Sequence, residues 1–251
     1  KLLGGSSSIN AMVYIRGHAW DYDNWAALGC AGWAYDDVLP YFKKSEGNER
    51  GGDAFHGDKG PLNVMDQRWP NPGSLAFVEA AAELQLPRTD DFNGSQQEGF
   101  GLYQVTQKGG ERWSAARAYG EPAKAAGKLE VITGALTERI IVEEGRATGI
   151  VIRQGNSRRT LKAGGAVILS AGAFGSPQIL QLSGIGPAEH LRSLNIDVMC
   201  DKPAVGADLQ DHIDYVSSFQ TASTELFGDS LAGTWRMAKA VIEHRLKRTG
   251  I

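Results

Sequence analysis

The sequence has little cysteine, little excess charge and no long apolar run. Its 251 residues include two cysteines, Cys30 and Cys200. They are too few and too far apart to indicate a disulfide framework or a metal site, so we expect two reduced thiols. A net charge of −3 without any block of like charge argues against nucleic acid and acidic membranes as partners. No stretch approaches the roughly 18 apolar residues that span a membrane, so the composition is typical of a soluble globular protein.

Glycine, in contrast, is abundant. The 32 glycines are scattered without a period, which indicates many tight turns rather than a low-complexity linker. Five small residues, GGSSS at 4–8, form a flexible loop that leads into an apolar stretch at 9–15. Backbone N–H groups of such a loop can surround an anion, because no bulky side chain blocks the approach. The loop alone therefore indicates either an anion-binding element or a plain connector.

The apolar patterns and turn residues predict a mixture of helices and strands. Helices are predicted at 21–29, 35–46, 73–85, 114–126 and about 231–248. Strands are predicted at 11–17, 102–106, 129–134 and 138–153, the last with a hairpin turn at 144–146. Asp21 and Asp36 are the predicted N-caps of the first two helices, and Pro122 predicts a kink or break in the fourth. The charged, glycine-rich segment 48–61 is predicted to be a mobile loop or a lid.

The segment from residue 166 to the helix that follows it has a distinctive order. The run AVIL at 166–169 predicts a strand buried on both faces of a parallel sheet. Gly172 and Gly175 then permit a sharp turn, and Pro177 suits the first turn of a helix because its missing N–H has no partner to lose there. A strand, a glycine-rich turn and a helix in this order are typical of dinucleotide-binding folds.

Three longer segments carry a specific pattern. LGGSSSINAMVYIR at 3–16 combines two glycines, small hydroxyl residues, an asparagine, an aromatic residue and an arginine. GAFGSPQILQLSGIG at 172–186 and VGADLQDH at 205–212 follow downstream. In this order they resemble the signatures of the glucose–methanol–choline (GMC) oxidoreductases, with Asp208 where asparagine is common. The sequence between them is similar to the choline dehydrogenase branch of that family.

The resemblance implies an α/β fold with mixed α+β content. It implies that 1–46 and 111–212 belong to a partial Rossmann-like FAD-binding domain. The remaining segments, 47–110 and 213–251, would belong to a substrate or cap domain with a mainly antiparallel sheet. The cofactor implied is FAD, with the loop at 4–8 beside its diphosphate and ribityl groups.

The resemblance also assigns cofactor contacts to individual positions. The positions that match FAD-contacting residues of the family are Gly5, Ser6, Asn10, Ala11, Val13 and Thr137. Some relatives carry, at the position of Ile9, a histidine bonded covalently to the flavin. Isoleucine cannot form that bond, so we expect FAD to be held noncovalently.

The activity implied is the oxidation of a small-molecule alcohol. Hydride would pass from a primary alcohol, either choline or an aliphatic or aromatic alcohol, to flavin N5, leaving the aldehyde. The electrons would then pass to a quinone, a carrier protein or oxygen. We expect the protein in the cytoplasm or at the periphery of the bacterial inner membrane, without a transmembrane segment or a nucleic-acid partner.

No catalytic or metal-binding residue is assigned from the sequence. The histidines considered as a general base are His18, His56, His190 and His212, and for each we favour a structural or loop role. The family's strand–GxGxxG–helix fingerprint and its C-terminal catalytic histidine have no counterpart here, so the resemblance predicts a central fragment of the enzyme. The alternative is a catalytically inert fragment, or a binding module of a split enzyme.

Overall fold

The structure is a computed structural model that describes residues 1–211, 213, 216 and 230–247. The chain forms two compact units. The first comprises Lys1–Glu130 and the described part of 220–251, and the second comprises the described part of 131–219. Helices and short sheets occur in both, which confirms the mixed α/β class. Within the described ranges, no helix has the length and apolar character needed to cross a membrane.

The first unit begins with a 3₁₀ turn, Gly5–Ser8, and contains most of the helices. Its helices are α1 (Ala19–Ala27), α2 (Tyr35–Ser45), α3 (Pro72–Glu83), α4 (Glu121–Ala125) and α7 (Leu231–Lys247). Its strands are β1 (Glu46–Asn48), β2 (Leu62–Val64), β3 (Gln107–Lys108) and β4 (Glu111–Arg112). β1 and β2 pair in parallel, and β3 and β4 pair antiparallel. The predictions of α3 and α7 are confirmed to within two residues at each end.

The first two helices exist as predicted, but both predicted N-caps are wrong. α1 is capped by His18, whose Nδ1 accepts a hydrogen bond from the Trp20 amide, while the carboxylate of Asp21 accepts from the His18 amide at 2.8 Å. α2 likewise begins before Asp36, which lies in its first turn. The carboxylate that accepts from the cap residue of α2 is that of Asp37, at 3.2 Å, so in both helices an acidic residue three positions after the cap reaches back to it.

The helix predicted at 114–126 consists of a π-helical turn, Ala116–Gly120, followed directly by α4. Pro122 lies in the first turn of α4, where it has no amide hydrogen to donate to Ala118. Loss of that bond favours a wider turn before the proline. The predicted break is therefore confirmed, and it takes the form of a change in helix type.

A single residue joins two of the extended segments of the first unit. Val105 is buried and forms isolated antiparallel bridges with Val13 and with Met65. The Val105–Met65 pair exchanges two backbone hydrogen bonds, at 2.8 and 3.0 Å. Met12 has a φ of +64°, which interrupts regular pairing on its side. The strands predicted at 11–17 and 102–106 are thus reduced to bridges, yet they do lie side by side.

The second unit is built on a three-stranded antiparallel sheet in the order β5–β6–β7. Its strands are β5 (Leu136–Glu143), β6 (Arg146–Gln154), β7 (Ser157–Lys162), β8 (Ile185–Gly186) and β9 (Cys200–Asp201), and its helices are α5 (Gly172–Leu182) and α6 (Ala188–Ser193). The hairpin predicted at 144–146 is confirmed: Glu144 and Gly145 have φ values of +50° and +76°, as a tight two-residue turn requires.

The parallel strand predicted at 166–169 is wrong. These residues belong to neither a helix nor a strand, and Ile168 is 88% exposed. A strand exists only where a neighbour satisfies its N–H and C=O groups, and no described strand pairs with this stretch. The helix that follows it, α5, is present, and its C-terminal end is tied to the sheet because Ser183 Oγ accepts from the Ile140 amide at 2.8 Å.

Candidate functional site

The opening loop is ordered by its own glycines and serines. Gly4 has a φ of +87°, and a Cβ placed on it would lie 2.6 Å from Ser8 Oγ, so the position requires glycine. The Ser8 hydroxyl donates to the carbonyl of Leu3 at 2.6 Å. The Ser7 hydroxyl donates to the carbonyl of Gly4 and accepts from the Ala115 amide, the latter at 3.0 Å. The loop is therefore a fixed turn rather than a flexible connector.

Arg112, at the end of β4, completes this turn from a distant part of the sequence. Its Nη1 donates to the carbonyl of Ser7 at 3.0 Å and to Asn10 Oδ1 at 2.8 Å. The same Oδ1 accepts from the Met12 amide at 3.1 Å. A guanidinium group thus reaches the loop from a residue that is 105 positions from Ser7 in the sequence. Sequence reasoning missed Arg112, because only the folded chain brings it to the loop.

Five of the six predicted cofactor residues lie along one exposed segment. They are Gly5, Ser6, Asn10, Ala11 and Val13. Ile9, on the same segment, is 73% exposed. The sixth, Thr137, lies in the second unit on β5, opposite Ile152. No contact in the structure tests their role in binding a cofactor, so for all six it stays a prediction.

A cavity of about 300 Å³ lies beside this exposed segment. Ala11, Met12 and Val13 form one wall, and Trp69 and Val105 form part of the rest. His244 of α7 also lines it, a residue that the sequence did not single out. The cavity therefore borders two of the predicted FAD-contacting positions.

The first unit also contains a group of polar side chains, which we call the Glu46 cluster: Arg16, Glu46, Asn48, His56 and Asp91. Glu46 is fully buried, and its two carboxylate oxygens accept from Arg16 Nη2 at 2.6 Å, from His56 Nδ1 at 2.8 Å and from Asn48 Nδ2 at 2.9 Å. His56 Nε2 lies 2.9 Å from the carboxylate of Asp91. Arg16, Glu46 and His56 are buried, while the side chain of Asp91 is 32% exposed. Each buried cation thus contacts a carboxylate, as charges removed from water require.

The position of His56 corrects an expectation from the sequence. The segment 48–61 was expected to be mobile, but His56 is 5% exposed and both its ring nitrogens contact carboxylates. Only the doubly protonated imidazolium can donate from both nitrogens. Both ring nitrogens of His56 are thus occupied by contacts within the cluster, and the expectation that it is not a general base stays a prediction.

Contacts within the cluster shift the pKa values of His56 and Glu46. The hydrogen bond to Glu46 raises the pKa of His56, with Asp91 adding to the effect and outweighing the opposing cost of burial. Burial would raise the pKa of Glu46, but hydrogen bonds from His56 and Asn48 and the charge of Arg16 hold it below its ordinary value. Both shifts favour the charged pair.

These shifts predict a stability maximum in mildly acidic solution. The contribution of His56 is fully present below its unfolded-state pKa of about 6.5 and is lost as the pH rises through the higher folded-state pKa. That of Glu46 is present above about pH 4.3 and is lost as the pH falls through its lowered pKa. The free energy of unfolding should therefore decline above about pH 6.5.

Urea unfolding at a series of pH values can measure this decline. Tryptophan fluorescence reports on the first unit alone, because all six tryptophans lie there. The variant His56→Gln should be less stable than the wild type and should show a flatter alkaline limb. An unchanged alkaline decline in His56→Gln would contradict the assignment.

The third sequence segment contains one departure from the family pattern, at Asp208. Its φ is +51°, in the left-handed region that asparagine and aspartate tolerate better than most residues. The substitution for asparagine is therefore compatible with the backbone. His212, in the same segment, lies outside the described residues. Of the described His, Cys, Asp and Glu side chains, no three converge as metal ligands would.

Comparison with known proteins identifies the family of the chain. The family model of the GMC oxidoreductases matches residues 1–214. An oxygen-dependent choline dehydrogenase of Rhizobium etli is 49% identical over 225 residues, which are 90% of this chain and 40% of that protein. A protein of the same name from Brucella ovis is 44% identical over the whole chain and 45% of its own length.

The fold agrees with this match. The crystal structure of pyridoxine 4-oxidase from Mesorbium loti superposes with a TM-score of 0.73 and 32% identity, over 79% of this chain and 39% of that one. The chain spans less than half the length of these relatives. With the family model matching most of its residues, the chain belongs to the GMC oxidoreductase family.

Proposed function

We propose that this chain is part of an FAD-dependent alcohol oxidoreductase of the choline dehydrogenase type. The observation that carries the proposal is the fixed, glycine-rich turn at 4–8, with its exposed segment at 9–13, in a chain whose relatives are named choline dehydrogenases. The substrate would be a small primary alcohol, choline or an aliphatic or aromatic alcohol. The names of those relatives favour oxygen as the electron acceptor over a quinone or a carrier protein.

The residues of the loop fit the diphosphate and ribityl parts of FAD. A Cβ placed on Gly5 would meet no atom within 4 Å, so the backbone there is open to close approach. The exposed hydroxyl of Ser6 and the guanidinium of Arg112 supply the hydrogen-bond donors and the positive charge that a diphosphate needs. FAD, when bound, supplies the hydride-accepting chemistry of alcohol oxidation. The chain's own residues would bind and orient it, and none of them is assigned a catalytic role.

The domain assignment is also proposed from the resemblance. Residues 1–46 and 111–212 would belong to the FAD-binding domain, and 47–110 and 213–251 to the substrate or cap domain. Thr137 would meet the adenine ring through its backbone, as the matching position does in the family. We further propose a cytoplasmic location, or one at the periphery of the bacterial inner membrane.

Titration of FAD into the chain tests the proposal. We expect micromolar or tighter binding, seen as a change in flavin absorbance and fluorescence. Arg112→Ala should weaken it about tenfold or more, because hydrogen bonds to charged groups contribute about 1.5–3 kcal/mol. The matched control is Arg88→Ala, since Arg88 lies in the same unit and its side chain is 58% exposed. Absence of wild-type binding, or equal losses in both variants, would contradict the proposal.

The mode of attachment can be tested on the same complex. We expect acid precipitation of the FAD-loaded chain to release all the flavin into the supernatant, because Ile9 has no atom that can bond covalently to it. Retention of yellow colour in the washed precipitate would contradict noncovalent binding. Denaturation in guanidinium chloride followed by filtration provides an independent check on the same outcome.

A further inference from the structure

The Glu46 cluster brings together charged side chains from four separate stretches of the chain. Arg16 follows the exposed segment, Glu46 begins β1, His56 lies in the turn between β1 and β2, and Asp91 lies beyond α3. The side chains of Arg16 and His56 are 3% and 6% exposed. The proposed function uses none of these groups, although hydrogen bonds through Gln104 join the cluster to Tyr14, which follows residues 9–13.

We propose that His56 is a positioning residue: by bridging the carboxylates of Glu46 and Asp91, it fixes the backbone of residues 14–16 and thereby holds Ala11 and Val13 in place for the cofactor. The cofactor part of this inference rests on the proposed function. The fixing of the backbone rests on the contacts alone.

The first arm of the bridge runs through Glu46. His56 Nδ1 lies 2.8 Å from Glu46 Oε1, and Glu46 Oε2 accepts from Arg16 Nη2 at 2.6 Å. Arg16 Nη1 also donates to the carbonyl of Phe55 at 2.8 Å, so the arginine is held both by the carboxylate and by the turn that carries the histidine. This arm fixes the side chain of Arg16.

The second arm runs through Asp91 to the backbone. Asp91 Oδ1 accepts from the Asn93 amide at 2.9 Å, and its Oδ2 lies 2.9 Å from His56 Nε2. The side chain of Asn93 holds the chain two ways: its Oδ1 accepts from the Arg16 amide at 2.7 Å, and its Nδ2 donates to the carbonyl of Tyr14 at 3.1 Å. This arm fixes the backbone on both sides of residue 15.

A third contact joins the cluster to the edge of the exposed segment. Asn48 Nδ2 donates to Gln104 Oε1 at 2.9 Å, and the carbonyl of Gln104 accepts from the Tyr14 amide at 2.9 Å. The next residue is Val105, which bridges to Val13. A displacement of Asn48 would therefore be transmitted through Gln104 and Val105 to Val13, a predicted FAD-contacting position.

His56 can donate to both carboxylates only when its ring is positively charged. A neutral imidazole has one N–H and could donate to only one of the two carboxylates. Besides these two, the charged groups that surround the ring are Arg16, across Glu46, and Asp53, whose carboxylate accepts from the His56 amide at 2.7 Å. A glutamine at position 56 carries no charge and should leave at least one arm open.

The test compares His56→Gln and Asp91→Asn with His190→Gln, a histidine exposed on α6. Amide hydrogen exchange is measured without FAD at Tyr14, at Arg16 and at Thr106, whose amide donates to the carbonyl of Met12 at 2.8 Å. FAD affinity is measured by titration. We expect protection at these amides to fall at least about tenfold in both cluster variants and FAD binding to weaken by a similar factor, with His190→Gln unchanged. A tenfold change corresponds to about 1.4 kcal/mol.

Each other outcome separates the two claims. Unchanged protection at the three amides in Asp91→Asn, or an equal loss across α3, would overturn the positioning role. Lost protection with unchanged FAD affinity would overturn its extension to the cofactor. If the wild-type chain does not bind FAD, the proposed function fails while the exchange data still decide whether the bridge fixes the backbone. If His56→Gln does not fold, Asp91→Asn decides, together with the ring ¹⁵N shifts of wild-type His56, which must be those of an imidazolium at pH 7.

Discussion

Replacing Glu46 with alanine should lower the free energy of unfolding of the first unit by about 3–5 kcal/mol, the range found when one partner of a buried ion pair is removed. The loss is large because the substitution leaves Arg16 and His56 as buried cations without their shared carboxylate. It also removes one acceptor of Asn48 Nδ2 and an acceptor of the Gly57 amide, the latter at 3.2 Å.

Urea unfolding followed by tryptophan fluorescence gives the measurement, and Asp90→Ala is the matched control. Asp90 carries the same charge in the same unit, but its side chain is 82% exposed and its ion pair with Arg88 is 3.5 Å long. Exposed pairs of this kind contribute at most about 1 kcal/mol. If Glu46→Ala and Asp90→Ala lower the free energy of unfolding equally, the burial of Glu46 does not increase its contribution to stability.

The Glu46 cluster also shows where sequence reasoning fails. Its members are separated by up to 75 positions, from Arg16 to Asp91, and no local pattern links them. The glycines and charges of 48–61 suggested mobility, yet Gly57 and Gly60 allow the turn to pack closely, and His56 within it contacts the buried carboxylate of Glu46. The pairing of Arg112 with Asn10 was missed for the same reason, since it spans 102 positions.

Features set by neighbouring residues were predicted more successfully. The hairpin at Glu144 and Gly145 follows from a glycine between two apolar stretches, and α3 follows from apolar residues at helical spacing. The prediction of a strand at 166–169 was wrong because hydrophobicity indicates that a segment can be buried but does not supply a neighbouring strand. No strand in the described residues pairs with this run. The family was identified from three ordered motifs, which carry information that no single element does.

Glycine at position 57 illustrates a requirement that the sequence alone does not reveal. A Cβ placed on Gly57 would lie 1.9 Å from the carbonyl oxygen of Lys43, in the last turn of α2. Real Cβ contacts essentially never fall below 3.0 Å, so the backbone would have to move by about 3.0 − 1.9 = 1.1 Å. Lys43 Nζ resists such a movement, because it donates to the carbonyls of Asp53 and Ala54 at 2.6 and 3.1 Å.

Gly57→Ala should therefore destabilise the first unit by about 3 kcal/mol or more, above the usual range for overpacking, because the shift also carries His56 away from Glu46. Gly120→Ala is the control: its Cβ would meet no atom within 4 Å, and its φ is helical, so it should be neutral or stabilising by up to about 1 kcal/mol.

The double variant Glu46→Ala, Gly57→Ala separates steric strain from loss of the cluster. If Gly57 acts mainly by holding His56 against Glu46, Gly57→Ala should lower the free energy of unfolding by less in the Glu46→Ala variant than in the wild type. The effects of substitutions within one network are not additive. Additive losses in urea unfolding would instead mean that the overlap with Lys43 is the whole effect. The close packing of the turn would then be a requirement independent of the buried charges.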